Sequence, residues 1–158
     1  MNLFILSKSK RRIAKYMIDK HISKIILEAV QMLCSAKRIL DPDDKINSRL
    51  YKMAHKNHPV TIWCRESLGN YMWVIDLIEE MHNEWRFRYK HMKYHKSYLV
   101  SLYLKAYPPK FDKIQMTPFA LAMPPEYKCD DPIESYRNYY KSKKGFATWK
   151  NREKPYWF

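Results

Sequence analysis

The chain has 158 residues, 46% of them apolar and 15% aromatic, with 30 Lys and Arg against 16 Asp and Glu for a formal charge of +14. That much apolar surface offsets the ordering entropy and excludes a disordered chain, and the length suits one domain, residues 1–158, that buries about two-thirds of the surface its unfolded form exposes. The two glycines, Gly69 and Gly145, are too few for Rossmann or P-loop phosphate sites, whereas the charge points to a polyanion, nucleic acid first, because each neutralised phosphate releases condensed counterions.

The chain opens "MNLFILSKSKRR", a short apolar run ahead of the charges and the reverse of a secretory signal, and no stretch approaches 18 uncharged apolar residues. A soluble protein retained inside the cell, with no membrane partner, is expected. "NLFIL" reads as a short extended lead-in packed on the core. From about Ser9 to Lys37 apolar residues recur at three and four, through Ile18, Ile22, Ile25, Ala29, Met32 and Ala36, which predicts one long helix. Within this span lies Cys34, which with Cys64 and Cys129 makes an odd set without CxxC spacing, read as reduced thiols. "LDPDDKINSRLYKMAHKNHP" is turn-rich and reads as loop with at most a helical turn.

Ser67 and Asn70 are the expected caps of a second long helix running to about Tyr89, with Tyr71, Val74, Ile75, Ile78, Met81 and Trp85 inward. "KSYLVSLYLKAY" predicts a shorter helix stopped by "PP". The proline-rich residues 108–131 have no sustained period and read as a long ordered loop, a kind of segment that tends to be functional. Asp131 before Pro132 is an N-cap with proline at N1, starting the last helix. The fold class is therefore all-α: mainly helical, compact, and a single domain.

Three constellations bear on function. On the first helix His21, Lys24 and Glu28 line up along one face with Lys20 beside them. A solvated face with a Lys24–Glu28 pair is the plain reading. The narrowness of the stripe, and its union of an acid, a base and amines, favour general acid–base work beside a phosphate. Next, His55 and His58 lie three apart and His91 and His95 four apart, but no cysteine pair or HExxH accompanies them, so no metal or other cofactor is expected. Finally, basic and aromatic residues interleave toward the C-terminus: residues 137–154 hold seven basic side chains against Glu153 alone, and residues 8–24 hold seven against Asp19. Lys and Arg can track phosphates while aromatic rings stack on unpaired bases.

These residues resemble the small, all-helical pyrimidine dimer DNA glycosylases of phages and algal viruses. That family carries an Arg-Glu-Leu-Pro-Arg run on its first helix, and "KHISK" at 20–24 falls on it, with Lys20 and Lys24 at the two arginines and His21 at the catalytic glutamate. "NHPVTIWCRES" resembles the family's His-containing approach to its second long helix, with His58 on the histidine, and "YRNYY" resembles its near-terminal aromatic residues that contact DNA. A set of phage and giant-virus proteins shares "DKH", "NHP" with "IW", "RES", "TPFALAMP" and the terminal "YRNYY…WK".

The resemblance implies a DNA glycosylase, with or without AP lyase activity, that excises damaged or modified pyrimidines from double-stranded DNA through an amine nucleophile and base flipping. The amine would be that of Met1, since methionine before Asn2 is not expected to be removed. An α-amine of pKa about 7.7–8.0 is partly neutral at pH 7. The proton-handling role falls to Glu28, one turn beyond the family's position, or to His21 itself. The expected catalytic set is Met1, His21, Glu28 and His58, and the expected DNA-binding set is Lys20, Lys24, Arg65, Arg137, Tyr139, Tyr140, Lys144, Trp149 and Lys150. A monomer is expected. Two rival readings use the same residues: a viral DNA base-modifying enzyme on this scaffold, and a non-enzymatic nucleic-acid-binding or virion protein.

Overall fold

The computed structural model describes residues 2–158. Its six helices run α1 Lys10–Tyr16, α2 Asp19–Leu40, α3 Pro59–Cys64, α4 Leu68–Tyr89, α5 Lys96–Ala106 and α6 Pro132–Lys141, with single 3₁₀ turns at Lys45–Arg49, Pro125–Tyr127 and Lys144–Phe146 and no strand among the described residues. The all-α expectation holds. α2 is the central element: it packs on α3, α4 and α5, while α1 packs on α4. Its buried face carries Ile22, Ile25, Ile26, Ala29, Val30, Leu33 and Ala36, and one continuous core joins this face to the rest of the molecule.

The extended lead-in is buried along its whole length, with Leu3, Phe4, Ile5 and Leu6 all in the core. The single helix expected over Ser9–Lys37 is two helices. The break falls at Met17 and Ile18, which are extended (ψ 137° and 155°) and wholly buried, with neither glycine nor proline to announce it. Its cause lies far along the chain. The Arg88 guanidinium, from α4, donates to the carbonyls of Ala14, Lys15 and Met17 at the end of α1, of which Ala14 also accepts the Met17 N–H, and the Tyr140 hydroxyl accepts the Ile18 N–H.

The segment read as loop with at most a helical turn holds the one 3₁₀ turn Lys45–Arg49. α3 begins at the end of that segment and runs into a stretch that the sequence reading leaves without an element: the His58 side chain caps the Val60 N–H and Pro59 occupies the first turn, so six residues form a helix before Ser67 caps α4. Tyr71, Val74, Ile75, Ile78, Met81 and Trp85 of α4 all face the core as expected. Asn70, expected as a cap, instead donates to the Trp63 carbonyl and the Thr117 hydroxyl.

The long loop is ordered by its surroundings. The Leu68 and Gly69 amides at the start of α4 donate to the Lys113 and Ile114 carbonyls. The approach is so close that a Cβ at position 69 would stand 2.7 Å from the Met116 nitrogen, which is why glycine is required there. Further on, Phe119 packs against both the Trp63 and Trp73 rings, which also touch each other, and the Tyr136 hydroxyl donates to the Ala120 carbonyl. These ties deliver Ala122–Pro124 to the side of α2 that carries the polar stripe. No helix among the described residues is long and apolar enough to cross a membrane.

Candidate active site

The sequence spacing puts His21, Lys24 and Glu28 on one flank of α2, and the fold opens a cleft there of about 390 Å³. Phe4 and Asn2 of the lead-in form its floor with α2. His58 approaches from the cap of α3, Ala122–Pro124 close one side, and Tyr139 and Lys143 close the other.

Glu28 is 8% exposed and its Oε2 accepts the Asn2 backbone N–H at 3.1 Å, while the Lys24 ammonium stands 3.6 Å from Oε1. The Asn2 side chain donates to the Ala122 carbonyl at 2.6 Å and accepts the Leu3 N–H, so the start of the described chain is pinned to α2 and to the long loop at once. Met1, expected in the catalytic set, lies outside the described residues.

His21 stacks on the Phe4 ring, 5.0 Å between centroids and 4° from parallel, and its Nδ1 is 2.9 Å from the Tyr140 hydroxyl. That hydroxyl already accepts from Ile18, and burial pushes its phenol pKa up, so it keeps a proton to donate. Donation to Nδ1 satisfies every group and leaves the imidazole proton on Nε2. Burial first, then the Lys143 and Lys24 ammoniums, push the His21 pKa down from 6.5 to about 4. The imidazole is therefore neutral at neutral pH, a hydrogen-bond donor rather than a reserve of charge. His58 is fixed in the same way: its Nδ1 accepts the Val60 N–H at 3.2 Å, which places the proton of the neutral ring on Nε2.

The remaining expected residues divide by position. Lys24 and Tyr139 line the cleft with His21, Glu28 and His58. Lys20 is exposed one turn before Lys24, 4.8 Å above the Phe146 ring, and Lys144 is exposed beside Lys143. Arg65 is taken up by the Lys56 carbonyl, and Arg137 by the Leu6 carbonyl and the Trp157 ring. Trp149 donates to the Tyr16 carbonyl, and the Lys150 amide donates to Asp19 while its ammonium sits over Tyr89. Tyr140 corrects the sequence expectation: with no exposed surface, it orients His21 from the core and presents nothing for DNA to touch. Tyr136 and Tyr140, four apart, share the buried side of α6, and Tyr139 alone of the three reaches the cleft. His91 and His95 pack on Trp85, and no group of three His, Cys, Asp or Glu among the described residues is placed to hold a metal.

Sequence reasoning missed Lys143, Phe4 and the anchoring role of Asn2. Lys143 lay within the basic run but nothing in "KSKK" says which amine turns inward. Phe4, within "NLFIL", reads in sequence only as core.

The model of one protein family, pyrimidine dimer DNA glycosylase, matches residues 1–100. The chain belongs to that family. The matched segment supplies Asn2, Phe4, His21, Lys24, Glu28 and His58, and the segment beyond it supplies Ala122–Pro124, Tyr139 and Lys143. No curated protein and no solved structure matches the chain.

Proposed function

We propose that this member of the pyrimidine dimer DNA glycosylases excises damaged pyrimidines from duplex DNA in the α2 cleft, with the whole chain 1–158 acting as one DNA-binding domain. The observation that carries this reading is the convergence of the anchored chain start, Glu28, the neutral His21, Lys24 and His58 on one cleft in a chain of that family.

The nucleophile in this proposal is the α-amine of Met1, the residue covalently joined to Asn2. A neutral amine adds at the sugar C1′ as the bond from C1′ to the base breaks, the departing base takes a proton, and the sugar ring opens to an imine. Loss of the C2′ proton then expels the 3′ phosphate, which is the AP lyase step. Glu28 is the better proton carrier of the two candidates. Its carboxylate already faces an N–H donor and an ammonium inside the cleft, whereas an imidazole with a pKa near 4 is a weak base and is almost never an acid at neutral pH. His21 is assigned the donor role, with its Nε2–H turned to a developing negative charge or a phosphate oxygen. Lys24 at the rim, with Lys20 and Lys144 outside it, holds the strand, and the target nucleotide is flipped into the cleft.

The test is excision and strand nicking on duplexes that carry a single cyclobutane dimer, an abasic site or no lesion, with borohydride trapping of any imine. A nick and a covalent adduct confined to lesion-bearing DNA are expected. Tight, salt-sensitive binding with neither nick nor adduct would instead support a non-enzymatic nucleic-acid-binding protein.

A further inference from the structure

Lys143 is the one basic residue that the C-terminal segment turns into the cleft, and it lies outside the 1–100 stretch that the family model covers. It leads the 3₁₀ turn Lys144–Phe146, just after α6, and its ammonium stands 4.4 Å from the Tyr139 ring centroid and 5.6 Å from that of Phe4, the ring on which His21 stacks. Among the described residues no carboxylate forms an ion pair with it. Lys24, at the same cleft, differs by facing Glu28.

Two influences act on its charge in opposite directions. Partial burial first, then the nearby Lys24, push its pKa down, while the ring faces beside it favour the ammonium. A larger share of this amine is therefore neutral and nucleophilic than of an ordinary surface lysine.

We propose that Lys143 is a second imine-forming amine of the cleft, one that captures the abasic sugar left after base loss. The inference rests on the glycosylase reading above. The ring-opened abasic sugar carries an aldehyde at C1′. The neutral Nζ adds to that carbon, the carbonyl oxygen takes up protons and leaves as water, and a C1′–Nζ imine remains. If the sugar is first held by another amine, Nζ displaces that amine, which departs with the proton Nζ gives up. Either route holds the cut product in the cleft until hydrolysis returns the aldehyde. Reduction of the imine by borohydride converts it to a stable secondary amine.

The experiment uses the full chain and a duplex with one abasic site, trapped with borohydride at neutral pH, digested with protease and mapped by mass spectrometry. An adduct on the Lys143-containing peptide is expected, with none on Lys24. Lys143→Arg keeps a cation but cannot form an imine, and should lower that adduct by at least about tenfold while DNA binding, read by fluorescence anisotropy, confirms that the variant is folded. An adduct found only on the N-terminal amine, with Lys143→Arg trapping as well as the wild type, would overturn the role of Lys143 and leave the glycosylase reading standing. Normal binding with no adduct anywhere would overturn both.

Discussion

Two polar clusters sit along the first turns of α2, and they are finished in different ways. At its N-terminus Arg88 has no exposed surface and uses all five of its N–H donors, on Glu84, Asp19 and the carbonyls of Ala14, Lys15 and Met17. Glu84 is held in turn by a second guanidinium, Arg152, and Asp19 by the Lys150 amide. One to two turns further on, Lys24, Glu28, His21 and Lys143 gather around open space, and His21 and Lys143 are both pushed toward their neutral forms. The first cluster is saturated and can only hold structure. The second is rich in amines and partly solvated, and keeps N–H donors turned to the open cleft.

The two clusters are joined by the C-terminal segment. Thr148, Trp149, Lys150, Asn151 and Arg152 all bond to the α1–α2 junction or to α4, and this fixes the path of the chain beside which Lys143 meets the cleft. Breaking the saturated cluster should therefore have the largest effect. Arg88→Ala leaves Glu84 to Arg152 alone and Asp19 to the Lys150 amide alone, removes the donors from the end of α1, and is expected to cost about 3–5 kcal/mol in urea denaturation. A loss below about 1 kcal/mol would show that the network is not what holds the helix break.

Tyr140→Phe tests the link from core to cleft. It leaves the buried Ile18 N–H without an acceptor and His21 Nδ1 without a donor, at an expected cost of about 1–3 kcal/mol, and should shift the His21 titration measured by NMR. An unchanged titration would mean that the hydroxyl does not set the tautomer.

The pH dependence has a definite sign. His21 and His82 are both held near pKa 4 in the folded chain against 6.5 when unfolded, chiefly by burial. Between those values the unfolded chain binds more protons. Stability is therefore fully present above about pH 6.5 and falls as the pH drops toward 4. Chemical denaturation across this range should show the decline, and His21→Gln should flatten it in part. A stability that rises toward pH 4 would contradict the burial account. Mildest of all is Lys24→Ala, which should weaken duplex binding and reduce the salt slope of log K by about 0.9, the value for one lost phosphate contact.

How much of this was legible in sequence depends on where the cause lies. α4, α5 and α6 follow from local periodicity and caps, because Ser67, Asp131 and the apolar faces act within a few residues of themselves. The break at Met17–Ile18 does not, because the donor that ends α1 is Arg88, some seventy positions away, and "EWRFRY" gives no sign that one of its arginines is fully buried. The site shows the same division. His21, Lys24 and Glu28 are neighbours by helical spacing alone, and His58 emerged through the family resemblance. Lys143 and Ala122–Pro124 reach the cleft only once the loop and tail have folded back, and nothing in "YRNYY" separates the buried Tyr140 from the cleft-lining Tyr139, because buried and stacking tyrosines read alike in sequence.

The most direct test of the central claim separates turnover from affinity at Glu28. Single-turnover excision and equilibrium binding are measured together on a duplex with one cyclobutane dimer, for the wild type and Glu28→Gln. The amide keeps an oxygen for the Asn2 N–H but cannot carry a proton, so excision should fall by about 10²–10⁴-fold while affinity changes by less than about threefold. Excision that survives the substitution would contradict the claim that the α2 cleft handles its protons through this carboxylate.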